Sequence, residues 1–271
     1  MTEDISDRQK DILALACDEG RVTVEDLARR FEVTPQTIRK DLNELCDRRL
    51  LSRVHGGAIV ASGVRNVAYD ARRFVAAAEK QAIGRAAARL VADGSSLFID
   101  IGTTTEEVAE ALADHTNMLV ITNNLNVAMR LHRLDGFEVI VAGGPVRRGD
   151  GAVIGEAAVD LIRQFKVDTA VIGASAIDED GALLDFDYRE VRVAQAIIEN
   201  ARRVILVADA SKFDRTAPVR IAHLDQIDVF VTDRLPNEQL RALCRDKGIE
   251  LVETLAGATE SEPAELSLSA E

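Results

Sequence analysis

Cysteine and histidine are scarce in this chain and poorly grouped. Cys17, Cys46 and Cys244 stand far apart among apolar residues, with no CxxC pair and no metal-ligand spacing. They read as buried structural thiols. His55, His115, His132 and His223 are equally scattered, so neither a metal site nor a cofactor is expected. Any run of 18 apolar residues is also missing, which argues against a membrane span. The opening Met1-Thr2-Glu3-Asp4 lacks the basic-then-apolar order of a secretory leader, so the expected compartment is the cytoplasm. No internal repeat is present. An overall basic excess is missing too: the net charge is −13, which taken alone argues against a nucleic-acid partner.

That charge is unevenly spread. Residues 1–60 carry 10 Lys+Arg against 12 Asp+Glu, leaving −11 of the −13 to the rest of the chain. Within 39–65, six cations (Arg39, Lys40, Arg48, Arg49, Arg53, Arg65) stand against three acids (Asp41, Glu44, Asp47). DNA feels charge over about a Debye length, roughly 10 Å, so a local excess counts for more than the total. With 271 residues, 47% hydrophobic and 29% charged, the chain suits a soluble globular protein of about two domains.

Helical periodicity predicts three short helices at the start. The first covers Asp7–Glu19, opened by a Ser6/Gln9 capping box and ended by Gly20. The second covers Val24–Phe31 behind a Thr23 cap. The third covers about Pro35–Arg49, with Thr34 as cap and Pro35 at the first helical position, where a missing N–H costs nothing. Two apolar runs then flank Gly56-Gly57 and predict a hairpin. Residues 61–76 read as a linker without a firm period. Beyond them, strands near 97–101, 119–122, 138–142, 169–172, 204–208 and 229–232 alternate with helices near 78–92, 106–113, 126–134, 156–165, 190–200 and 238–247. Such alternation predicts an α/β domain over 77–255 with a largely parallel sheet. The tail over 256–271, acidic and rich in Ala and Ser, is expected to be disordered.

Three helices and a hairpin within residues 5–60 make a winged helix-turn-helix. Helix phase separates the two faces of the third helix. Ile38, Leu42, Leu45 and Cys46 form its buried stripe. Gln36, Thr37, Lys40 and Asn43 lie opposite, Arg39 on the flank, and Thr34 and Pro35 at the start. Gln and Asn pair with adenine edges, while Arg and Lys reach guanine or phosphate. The first half of such a helix enters the groove. His55-Gly56-Gly57 would form the wing tip, with Arg53 and His55 touching backbone or minor groove. A small helical interaction domain with a solvated basic face is the plainer alternative.

The strongest local chemistry further on is Phe98-Ile99-Asp100-Ile101-Gly102-Thr103-Thr104-Thr105-Glu106. A strand ends, glycine turns the chain, hydroxyls follow and a helix begins, which favours an anion such as phosphate. A Thr103/Glu106 capping box explains the same residues without any ligand. Asn123-Asn124, Gly143-Gly144 and Asp209-Ala210-Ser211-Lys212 fall at other strand ends, on the edge where open α/β sheets bind ligands. Lys212 would complement a phosphate, Asp100 and the asparagines would hold hydroxyls, and Arg147 would either swing in or stay on the surface.

Thr34–Leu42 and the Arg53-Val54-His55-Gly56-Gly57-Ala58 stretch resemble the recognition helix and wing of the DeoR family of bacterial repressors. Phe98–Thr104, Asn123-Asn124, Ala142-Gly143-Gly144, Gly155-Glu156 and Val207–Phe213 resemble that family's sensor domain. The resemblance implies a sensor shaped like ribose-5-phosphate isomerase that binds sugar phosphates without turning them over. It also implies operator DNA as partner and a dimer or tetramer. The stretches 119–128, 185–192 and 196–200 resemble family members that answer to glycerol 3-phosphate, so a phosphorylated polyol or sugar, and glycerol 3-phosphate first, is the expected effector. An isomerase is the competing class. It needs a positioned general base. Asp100 and Glu106 are the nearest carboxylates, and with no second acid or base evident the expectation is a protein that is not an enzyme.

Overall fold

A computed structural model describes residues 5–19, 21–48, 50–59 and 69–255. Gly20, Arg49, Arg65, much of the expected linker and the tail over 256–271 lie outside these residues, as does the Cys17 side chain. The first unit runs α1 (Asp7–Glu19), β1 (Arg21–Thr23), α2 (Val24–Arg30), α3 (Pro35–Asp47), β2 (Ser52–Val54) and β3 (Gly57–Ile59). The caps are those the sequence predicts. The Gln9 N–H donates to the Ser6 hydroxyl and the Ser6 N–H to the Gln9 side chain. Thr23 accepts from the Asp26 N–H, Thr34 accepts from the Thr37 N–H, and Pro35 starts α3.

β1 was not expected. It pairs with β3, and β3 with β2, in an antiparallel sheet of order β1-β3-β2. This changes the reading of the wing. Only His55 and Gly56 form the tip, with Gly56 at φ +77°. Gly57 is buried inside β3, opposite Thr23, where a Cβ would meet the Val22 carbonyl oxygen at 2.0 Å. Its role is close backbone packing and not phosphate contact. Ile12, Leu13, Leu27, Ile38, Leu42, Leu45 and Ala58 close the core of this unit.

The expected linker contains a short helix, α4 (Tyr69–Phe74), missed because six residues show too little periodicity. The larger unit follows: α5 (Ala77–Ala88), β4 (Ser96–Ile99), α6 (Thr103–Ala111), β5 (Met118–Thr122), α7 (Leu125–Leu131), β6 (Phe137–Val141), α8 (Glu156–Ile162), β7 (Val167–Ile172), β8 (Ala176–Ile177), β9 (Ala182–Asp185), α9 (Tyr188–Glu199), β10 (Ala201–Val207), β11 (Val219–His223), β12 (Val229–Thr232), α10 (Glu238–Lys247) and β13 (Glu250–Glu253). Seven strands form a sheet of order β13-β12-β10-β7-β4-β5-β6, with every pairing parallel.

Side chains alternate across this sheet and both faces are buried. Leu97, Ile99, Val171, Ile205, Val207, Val229 and Val231 face α5, α6 and α7. Phe98, Ala170, Ile172, Val204, Leu206 and Phe230 face α8, α9 and α10. The second face also carries a small antiparallel sheet, β11-β9-β8, that periodicity did not reveal. Strand order reverses between β4 and β7, so their connections leave in opposite directions and open a crevice at the carboxyl edge.

Gly57→Ala is expected to destabilise the first unit by about 1–3 kcal/mol, because backbone and not a flexible side chain opposes the added methyl. Urea unfolding followed by circular dichroism checks this. A variant as stable as wild type would show that β1 and β3 separate at little cost.

Candidate functional site

α3 presents one polar face and one buried one. Thr34, Pro35, Gln36, Arg39, Lys40 and Asn43 are exposed, and Thr37 is half-buried with its hydroxyl 2.9 Å from that of Thr34. Arg53, His55 and Gly56 of the wing are exposed too, on the β2-β3 hairpin that packs against α3. The two acids of α3 nearest this surface are taken up elsewhere. Asp41 is buried and accepts from Arg8 Nε at 2.7 Å, and Gln9 donates to Glu44 at 2.6 Å. Lys40 lies 3.9 Å from Glu44. Asp41 therefore pins α1 to α3 and does not oppose DNA. Its spacing of three from Ile38 and four from Leu45 places it on the buried stripe, a signal already in the helix phase.

The second site lies in the crevice. Its walls come from the loop after β4, from Gly173–Ser175 after β7, from Lys212 after β10, from Asp185 and Ile221 of the small sheet, from Glu190 on α9, from Asp150, and from Tyr69 and Arg72 on α4. Of the residues predicted from sequence, Asp100, Gly102, Thr103, Thr104 and Lys212 meet here. Tyr69, Arg72, Asp150, Asp185 and Glu190 were missed. They arrive from α4, α9, the small sheet and a position nine residues beyond β6, so none lies at a strand end of the main sheet.

The loop after β4 is built differently from a capping box. Gly102, not Thr103, is the N-cap of α6, at φ +144°, where a side chain is strained. No side chain caps the helix. The Thr105 hydroxyl donates to the carbonyl oxygens of Asp100 and Gly102, both at 2.8 Å, and holds the turn. Glu106 faces away from the cap: it accepts from the Tyr69 hydroxyl and from the amides of Asn124 at 3.2 Å and Asn126 at 3.0 Å. The capping explanation is therefore corrected, and the first N–H groups of α6 face the cleft without a side-chain partner.

The remaining predicted residues take other places. Asn123 is fully buried and donates to Asp100 Oδ1 at 2.9 Å. Burial pushes the Asp100 carboxyl up to about 7. Asn124 caps α7, accepting from the N–H groups of Asn126 and Val127. Gly143 and Gly144 follow β6 on the exposed surface and do not line the crevice. Arg147 is engaged by acids. Its Nε donates to Asp150 at 2.9 Å and its Nη1 to Glu190 at 2.6 Å, with Asp187 at 3.5 Å. Burial raises the Glu190 carboxyl well above its usual range, and Arg147 opposes that rise.

Lys212 is the unbalanced charge. It is 7% exposed, and its ammonium has no hydrogen bond or ion pair within 4 Å among the described residues. Burial pushes its pKa down to about 7, nearby Arg215, Lys80 and Arg72 push the same way, and only Asp209 resists. Burial would raise the Asp209 carboxyl, yet Lys212 and Lys80 hold it below its usual range. Asp209 Oδ1 accepts from the Ser211 N–H at 3.1 Å, while its Oδ2 is buried without a hydrogen-bond partner among the described residues. The cleft thus combines uncapped helix N–H groups, a buried ammonium and a set of carboxylates, which suits a ligand with an anionic end and a hydroxylated end.

A winged helix joined to such a cleft defines a ligand-responsive DNA-binding regulator. The chain belongs to the DeoR family: residues 8–64 match the DeoR-like helix-turn-helix domain and 75–234 the DeoR C terminal sensor domain. It is 46% identical over 244 residues to the glycerol-3-phosphate regulon repressor of Escherichia coli strain K12, covering 90% of this chain and 97% of that one. It is 45% identical over 229 residues to the repressor of the same name from Haemophilus influenzae, covering 84% and 89%. The HTH-type transcriptional repressor CsqR of Escherichia coli strain K12 is 38% identical over 245 residues, covering 90% and 94%. Among solved structures, ribose 5-phosphate isomerase A of Methanocaldococcus jannaschii aligns with a TM-score of 0.38 at 16% identity, over 51% of this chain and 55% of that one.

The titration of Lys212 predicts a pH dependence of anion binding. A bound phosphate dianion requires the ammonium form, so above pH 7 binding must take up a proton. Affinity for a phosphorylated ligand is expected to fall as pH rises from 7 to 9, by up to about tenfold per unit. Ionisation of Asp100 above about 7 acts in the same direction. Calorimetric titration across this range checks it, and Lys212→Arg, charged throughout, should lose much of the slope. An affinity that stays flat in wild type would place the ammonium away from the anion.

Proposed function

We propose that this protein is an operator-binding repressor whose DNA affinity is set by glycerol 3-phosphate held in the crevice between β4 and β7. The observation that carries the reading is Lys212, a buried ammonium with no ion-pair partner beside the uncapped start of α6. A phosphate supplies the missing charge to both. The hydroxyls of a short polyol then face Asp100, Ser175 and Asp185. The similarity to two glycerol-3-phosphate regulon repressors supports the same effector. In this reading residues 5–60 read the operator, 61–76 join the two units and 77–255 sense the effector, in the cytoplasm. Thr34, Pro35, Gln36, Thr37, Arg39, Lys40 and Asn43 with Arg53, His55 and Gly56 form the DNA surface. Two copies at least act together, since one helix-turn-helix reads one half-site.

The reading is non-enzymatic. Asp100, with its raised pKa, favours a sugar-phosphate isomerase, because a general base works best near the ambient pH. Glu106, the other carboxylate beside the loop, lines the same crevice but is already engaged by Tyr69, Asn124 and Asn126. Absence of turnover with ribose 5-phosphate is the expected result, and measurable conversion would replace this reading.

Fluorescence anisotropy on duplexes obtained by in vitro selection tests the repressor reading. Glycerol 3-phosphate is expected to weaken DNA binding by roughly 5- to 150-fold. Lys40→Ala should lower the log–log salt slope by about 1 and leave ligand binding intact. Lys212→Ala should bind DNA normally and ignore the ligand. If glycerol 3-phosphate leaves DNA affinity unchanged while other phosphorylated polyols shift it, the effector assignment fails and the repressor reading stands.

A further inference from the structure

α4 touches both units of the molecule. It packs against α1 of the winged helix and against α6 of the sensor. Phe74, its last residue, lies against the winged-helix core formed by Ile12, Leu13 and Leu45. Two residues earlier, and so on another side of the helix, Arg72 lines the effector crevice. Its side chain is 14% exposed and its nearest carboxylate contact is long, 3.7 Å from Nη2 to Asp150 Oδ2. The Arg72 Nε is buried and has no hydrogen-bond partner among the described residues. A guanidinium N–H left this way costs free energy unless something accepts from it.

The ends of α4 are held differently from its middle. Tyr69 donates to Glu106 and accepts from Asn126 at 3.0 Å. At the other end the Lys80 ammonium, 2% exposed, donates to the carbonyl oxygens of Arg72 at 2.5 Å and Val75 at 2.6 Å. The joint to α5 is Ala76, in the left-handed region at φ +50° and ψ +41° with no side-chain cap. A non-glycine residue held there is strained, and such joints absorb rotations.

We propose that Arg72 is a ligand of the effector's phosphate and that α4 is the lever that carries occupancy of the crevice to the winged helix. The proposal rests on the crevice being the effector site. The anion takes the donors that Arg72 holds idle and draws the guanidinium away from Asp150. α4 turns about Ala76, and the seating of Phe74 against the winged-helix core changes with it. Arg72 thus acts at the ligand, while Phe74 is a positioning residue that touches neither ligand nor DNA.

Calorimetry and DNA anisotropy on the full-length protein test this with sn-glycerol 3-phosphate and inorganic phosphate as probes. Arg72→Gln is expected to weaken binding of both probes by roughly 10- to 100-fold. Phe74→Leu and Phe74→Ala are expected to bind glycerol 3-phosphate within about twofold of wild type, yet to lose most of the ligand's effect on DNA affinity. Thermal unfolding identifies any variant that fails to fold, and Phe74→Leu, which keeps an apolar side chain, carries the test if Phe74→Ala does. Arg72→Gln binding both probes as tightly as wild type overturns the ligand role. Folded Phe74 variants with the full DNA response overturn the lever. Wild type that binds neither probe overturns this proposal together with the effector reading, whereas a failure confined to the variants overturns this proposal alone.

Discussion

The reversal of strand order between β4 and β7 is the constraint on which the sensing unit depends. In a parallel sheet buried on both faces, every crossover must pack onto one face or the other. Where consecutive strands proceed outward in opposite directions, no connection covers the carboxyl edge, and backbone ends are left facing solvent. In this chain those ends are the Gly102 turn and Gly173–Ser175, with Lys212 following the next strand. The crevice is therefore a consequence of topology, and the chemistry inside it is what particular side chains add. The small β11-β9-β8 sheet closes one wall and contributes Asp185, so a peripheral element supplies charge that the main sheet alone would not.

Charge in the crevice is deliberately mismatched in space. Arg147 faces Asp150, Asp187 and Glu190, so its own charge is fully compensated. Lys212 and Arg72 have no comparable partners, although Lys212 sits beside Asp209 in the field that both feel. Burying a charge without a partner is expensive, and a protein tolerates it where something else supplies the compensation. Lys212 meets the cost by releasing its proton near pH 7, so the empty cleft is less positive than its composition implies. In the proposed reading an entering phosphate reverses this, recovers the ammonium and gains a hydrogen-bonded ion pair. The preference for an anion is therefore written in the instability of the empty site as well as in its donors.

Much of this was legible from the residues alone. Period and capping located α1, α2 and α3, because Ser6, Thr23 and Thr34 each satisfy N–H groups that no other local residue could. The alternation of strands and helices placed the parallel sheet, because its strands are apolar on both faces. Strand ends pointed to Asp100, Gly102, Thr103, Thr104 and Lys212. What stayed hidden depends on long-range contacts. β1 is three residues that form a strand only through β3, α4 is shorter than two helical turns, and β8 is two residues long. Glu106 read as a capping residue because the pattern Thr-x-x-Glu is local, whereas its partners Tyr69, Asn124 and Asn126 are 18 or more residues away. Arg147 looked free for the same reason, since Asp187 and Glu190 come from a distant helix.

Communication between crevice and DNA surface must come from free energy that differs between the empty and occupied states, and α4 holds such terms. A ligand with equal affinity for both states shifts nothing. An unsatisfied buried donor such as Arg72 Nε costs about 1–3 kcal/mol, and a non-glycine residue in the left-handed region such as Ala76 costs of order 1 kcal/mol or more. Couplings between sites typically amount to about 1–3 kcal/mol. The terms stored in six residues of helix and one joint are therefore of the size that regulation requires. Nothing in the large sheet need deform: the apolar side chains of its inner strands are buried on both faces and interlock, and a packed core of this kind resists graded change. The short helix between the units, pinned at its ends by Glu106 and Lys80 and loaded in its middle, is where two discrete arrangements cost least to exchange.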